Sequence, residues 1–298
     1  MAQVTADTVR TRPRFPMKLA LITLGALFAI LTWIDLPYYR DLWAFESLRK
    51  LGGKIATKTD ESWIARWNGQ IHADVRLLMG DSSIRDDDLR HFRNISSIKA
   101  ISLHGTKVTN EGVRLLKSIT SPEALRILDL SGTNFTGEGL IHFSEFKELA
   151  VLDLSDTEVT DSDLEQLSKI KSLESVSLAG TSISNVGLER LKSLPILRSL
   201  SLERTKITDE GLLVIAEMKQ LSALSLAETA VTDAGLTQLI TDSMLEKIEL
   251  RQTRATNALM ERLLELENLE AVSVKDTQFS QDDVDELRRK RPKLMVLN

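Results

Sequence analysis

One period organises most of this chain. Threonine, or once serine, recurs at Ser82, Thr106, Thr133, Thr157, Thr181, Thr205, Thr229, Thr253 and Thr277, each time closing a leucine-rich segment. Successive steps are 24 residues, with a single step of 27 between Thr106 and Thr133. A spacing this constant from residue 74 onward marks a repeat array and excludes most globular folds. Such an array grows in one dimension, because each short unit can bury its apolar face only against its neighbours.

Within a unit, two periodicities follow each other. Residues 125–140 read LRILDLSGTNFTGEGL, with Leu125, Leu128 and Leu130 before Thr133 and Phe135 after it. The same slots hold Leu149, Leu152, Leu154 and Val159, then Leu173, Val176, Leu178 and Ile183. Alternation around Leu128 and Leu130 predicts a short strand with one buried face. The spacing then changes: Leu164, Leu167 and Ile170 lie three apart, as do Leu188, Leu191 and Leu194, which predicts a helical stripe. At the join, Thr160-Asp161, Ser184-Asn185, Thr208-Asp209 and Thr232-Asp233 carry oxygens suited to capping the helix start. Gly139, Gly187, Gly211 and Gly235 recur one turn later and read as tight packing at a crowded corner.

These features resemble the leucine-rich-repeat family, whose motif is L-x-x-L-x-L-x-x-N-x-L. The chain is most similar to short bacterial-type repeats, L-x-x-L-x-L-x-x-T-x-[IV]-T-D-x-G-L, as in residues 197–212, LRSLSLERTKITDEGL. The resemblance covers residues 74–298 and implies an α/β solenoid, a curved parallel β-sheet with outer helices. Where the family usually buries Asn or Cys, this chain has Thr. The expectation is a ladder of hydroxyls satisfying backbone groups between neighbouring turns.

Ahead of the array, residues 19–34 read LALITLGALFAILTWI without a charge, about 24 Å of helix. Lys18 can snorkel and Met17 extends the run, while Trp33, Tyr38, Tyr39 and Trp43 suit the far interface. No small-residue cleavage site follows, so the segment reads as an uncleaved signal anchor rather than a signal peptide. Residues 1–34 carry a balance of +3 from Arg10, Arg12, Arg14 and Lys18 against Asp7, leaving −8 of the total −5 for the remainder. By the positive-inside rule the basic end is cytoplasmic. The expected organisation is a cytoplasmic tail (1–16), one transmembrane helix (17–36), a linker and N-terminal cap (37–73) and the repeat domain (74–298), placed on the periplasmic or extracellular side. Leu42, Phe45, Leu48 and Leu51 are spaced for a capping helix ended by Gly52-Gly53, and Asn68-Gly69 signals a hairpin turn. At the other end, Asp282, Asp283 and Asp285 precede Arg288, Arg289, Lys290 and Arg291 on one helix, a solvated, dipole-matched arrangement.

The acidic repeat domain argues against sequence-independent nucleic-acid binding. There is no cysteine, and the four histidines (His72, His91, His104, His142) form no HExxH. No phosphate loop or GxSxG is present, so no cofactor, catalytic residue or metal ligand is assigned. The resemblance implies a ligand on the concave sheet. Its middle row is read as exposed: Leu78, Ser102, Asp129, Asp153, Ser177, Ser201, Ser225, Glu249 and Ser273. No aromatic anchor appears there. His104, Asp129, Ser131, Asp153, Ser155, Ser177 and Glu203 are the candidate partner-binding residues. The favoured function is a non-catalytic scaffold for a protein or peptide partner. A metal-dependent enzyme or sensor on the Asp129/Asp153/His104 patch, or a purely structural envelope protein, are the alternatives.

Overall fold

A computed structural model describes residues 54–56, 75–78, 83–94, 98–119, 123–240 and 244–298. The anticipated transmembrane segment, the capping helix and the Asn68-Gly69 turn lie outside the described residues. Among those described, no helix is long and apolar enough to cross a membrane.

The strands are Lys54–Ala56 (β1), Val75–Leu78 (β2), Ile98–Ser102 (β3), Ile127–Asp129 (β4), Val151–Asp153 (β5) and Ser175–Ser177 (β6). Ser199–Ser201 (β7), Ala223–Ser225 (β8), Lys247–Glu249 (β9), Ala271–Ser273 (β10) and Met295–Leu297 (β11) complete them. They form one sheet in chain order. From β2 to β11 every neighbouring pair is parallel, whereas β1 runs antiparallel to β2. Helices return the chain behind the sheet, as at Asn185–Leu191 and Asp209–Ala216. Several expected α-helices are instead 3-10 helices, including Asp86–Asn94 and Gly137–Glu145. The 27-residue unit carries the longer helix Asn110–Ile119.

Residue for residue, the strands align at the repeat spacing: Leu152 faces Val176, Val176 faces Leu200, and Leu200 faces Leu224. The motif leucines Leu128, Leu152, Leu178, Leu202 and Leu226 are fully buried in one continuous core with the helix residues Leu164, Leu188, Leu212 and Leu236. The leucine-rich-repeat solenoid implied by the resemblance is therefore the fold observed.

The threonine row works differently from the expected ladder between turns. Thr181 Oγ1 donates to Leu178 O at 2.5 Å, and Thr205, Thr229 and Thr253 each donate to the carbonyl three residues back. The bond closes a turn within one coil. Each Leu carbonyl also accepts the Thr backbone N–H, as in Thr181 N to Leu178 O at 3.2 Å. Thr181→Val leaves that second bond in place, so the expected loss in denaturant-measured stability is about 1 kcal/mol, the worth of one hydrogen bond.

Coupling between coils comes from the helix-start Asp and Asn. Asp209 Oδ1 accepts Thr232 N–H at 2.7 Å and its Oδ2 accepts the Thr232 hydroxyl at 2.6 Å, one coil ahead. Asp86 with Thr109, Asp161 with Ser184, and Asp233 with Thr256 repeat the pattern. Asn185 accepts the Thr208 N–H and donates to its hydroxyl. These Asp and Asn side chains staple neighbours, while the hydroxyls before them cap the helices as expected: Ser184 Oγ accepts Val186 N–H and Thr232 Oγ1 accepts Ala234 N–H at 3.2 Å. At Gly137 the acid is missing, and Asp163 closes a capping box with Thr160 of its own coil instead. The expected crowding at glycine is real: a Cβ on Gly211 would lie 2.5 Å from Asn185 Oδ1.

Before each anchor threonine the backbone turns left-handed. Gly105, Gly132 and Gly180 occupy three of these positions, but Asp156, Arg204, Glu228, Gln252 and Asp276 adopt φ of 54–56° in the others. Non-glycine residues there accept modest strain; of the four charged ones, Asp156, Arg204 and Glu228 enter ion pairs with side chains that line or border the sheet face.

Candidate functional site

Small side chains line the sheet face, and the coils curve enough to enclose a shared groove of about 710 Å³ from Asp153 on β5 to Leu297 on β11. A flat sheet could not enclose such a volume. The floor is built by the same alternation that buries the leucines: with Leu200 inward, Ser199 and Ser201 must both face the groove side.

The middle row is not exposed as expected. Asp129 is 5% exposed and Ser201 2%, and Ser102, Ser177, Ser225 and Ser273 are also buried. Curvature draws these short side chains together, and hydrogen bonds satisfy several of them. Ser102 Oγ donates to Asp129 Oδ2 at 2.6 Å, while Asp129 Oδ1 accepts Ser131 N–H at 3.0 Å and the Ser131 hydroxyl at 2.5 Å. His104 Nδ1 lies 2.8 Å from Ser131 Oγ. Further up the chain at the N-terminal end, Ala100, Ile127 and Val151 form a small apolar cluster of their own.

A parallel unit sits one coil on. Asp153, in register with Asp129, accepts Ser155 N–H at 2.9 Å and the Ser155 hydroxyl at 2.5 Å, and Ser155 Oγ meets Ser177 Oγ at 2.7 Å. Burial first, and then the Asp129 carboxylate beside it, push Asp153 up to about 6, against the pull of Ser155 and His104. The unfolded value is about 3.9. The folded chain therefore binds the extra proton between those values, and the ionised Asp153 costs stability increasingly as pH rises through that window. Asp153→Asn is expected to raise stability at pH 7.5 by about 1–3 kcal/mol and to leave no gain at pH 3. Paired chemical denaturations at the two pH values check this.

Of the seven candidates, Asp153, Ser155, Ser177 and Glu203 line the groove, and His104, Asp129 and Ser131 form a separate network beside it. Glu203 belongs to a third group: Arg251 bridges it at 2.8 Å and Glu228 at 2.9 Å, while Arg204 bonds Asp156 at 3.1 Å. The bond to Asp156 raises Arg204 above its ordinary value; at Arg251 burial pulls downward, and the Glu228 and Glu203 carboxylates outweigh it to raise that group too. Lys247, a groove residue absent from the sequence-based set, faces Ala223 and Ala271 in register. Its position was available as the residue 24 beyond Ala223. Among the described residues no group of three or more His, Cys, Asp or Glu is placed to hold a metal ion, so the acidic patch gains no support as a metal centre.

Residues 124–144 and 193–216 match the family described as Leucine Rich repeat. Among solved structures, internalin C2 from Listeria monocytogenes is 25% identical, with 70% of this chain and 81% of that chain covered and a TM-score of 0.48. An internalin from the same organism is 18% identical over 74% of this chain and 79% of that one, with a TM-score of 0.49. No curated protein matches the chain.

Proposed function

We propose that this chain is a non-catalytic interaction scaffold that holds a protein or peptide partner in the groove of its sheet face. Residues 17–36 tether it to a membrane, with the repeats on the non-cytoplasmic side. The observation that carries the binding role is the groove itself: about 710 Å³, built on rigidly stapled coils and floored by small side chains that leave room for a ligand. The tether rests on the uncharged run 19–34 and the basic residues before it.

A photo-reactive diazirine residue at Ala223, in the groove, is compared with one at Val186, which is 75% exposed on the helix side. In native membranes the same adduct should recur at Ala223 and be absent at Val186, and Ser225→Trp should remove it by filling the groove. Equal adducts at both positions, or none at Ala223, contradict the binding role. Release of the intact chain from membranes by alkaline carbonate contradicts the tether.

A further inference from the structure

Two charges of opposite sign stand along the groove, Asp153 at its β5 end and Lys247 within it on β9. At one end Asp153 offers a carboxylate whose Oδ1 is held by Ser155, while its Oδ2 has no hydrogen-bond partner among the described residues. Four strands on, Lys247 lines the same groove, is exposed, and forms no ion pair among the described residues. The remaining groove charges are already engaged: Arg251 with Glu203 and Glu228, Arg204 with Asp156, and Glu249 with the Arg251 backbone N–H. Between Asp153 and Lys247 the floor is neutral, made of Ser177, Ser201, Ser225, Ala179 and Ala223.

Four strand steps at about 4.8 Å span roughly 19 Å, the length of about six extended residues.

Building on the scaffold role proposed above, we infer that the groove takes an extended peptide segment of about six residues, with a basic side chain on Asp153, an acidic side chain on Lys247 and small or polar residues between. Because Asp153 and Lys247 hold fixed positions along the groove, one order of charges along the peptide is accepted and the reverse order is not.

The full-length chain, reconstituted in lipid nanodiscs at pH 7.5, is tested against an immobilised random-hexapeptide array. Bound peptides should pair Lys or Arg at one end with Asp or Glu at the other in a single order, favoured at least tenfold over the reverse. Lys247→Glu, at an exposed position, should turn the acidic preference into a basic one and leave the Asp153 end unchanged. Enrichment without charge order, or an order indifferent to Lys247→Glu, overturns this inference and leaves the scaffold role standing. No enrichment, or enrichment that survives Ser225→Trp, overturns both.

Discussion

Leu178→Ala is expected to lower the unfolding free energy by about 2–5 kcal/mol, measured by chemical denaturation. Leu178 is fully buried and sits at the centre of the array, where its coil touches one coil on either side. A cavity there removes dispersion contacts that neither neighbour can close without breaking its own register. The damage should also spread. Coil stability in a solenoid is a sum of unit and interface terms, and weakening a central interface lets the two halves unfold separately. A broadened or biphasic transition is therefore expected alongside the lower midpoint. A cost below about 0.5 kcal/mol would be that of a surface residue and would place Leu178 outside the core.

Arg291→Met is the second large effect, expected at about 2–4 kcal/mol and concentrated in the last two coils. The sequence reads the basic run at the end of helix Gln281–Lys290 as solvated; Arg289 and Lys290 form exposed ion pairs, but Arg288 and Arg291 bond backbone carbonyls. The Arg291 guanidinium reaches back one coil and donates to the carbonyls of Leu263, Leu266, Glu267 and Leu269, gathering the end of the preceding helix and the turn after it. Arg288 donates to Val296 O at 2.8 Å, on the outer edge of β11. That bond blunts the open edge of the sheet, which would otherwise template another strand. Methionine keeps the stem of Arg291 and loses all four bonds, so hydrogen exchange should accelerate first in residues 260–298. Uniform acceleration through the whole array would contradict this local closing role.

The core register was fully legible in the sequence, because the 24-residue spacing and the change from period two to period three are local patterns. The linking chemistry was legible only in part. Asp209 stands at a helix start, where capping is the local expectation, yet it bonds Thr232 in the next coil; the spacing lays that coil alongside but does not say which of two competing acceptor roles the side chain takes. The left-handed turn before each threonine escaped notice because five of its occupants are not glycine. The site was half legible. Alternation places Asp129, Asp153 and the serines on the sheet face, but their burial arises from curvature and mutual hydrogen bonds, which are tertiary. Lys247 was overlooked although the spacing places it beside Ala223.

The stapled coils present one rigid, prebuilt groove. The N–H groups of Leu178, Leu202, Leu226 and Leu250 each donate to the next strand, to Ser201, Ser225, Glu249 and Ser273, at 2.9 Å. Native-state hydrogen exchange of these four amides reads that rigidity. They should share a similar, high protection, and all four should lose it together in Leu178→Ala. Fast exchange at these amides, or a loss confined to residue 178, would contradict it.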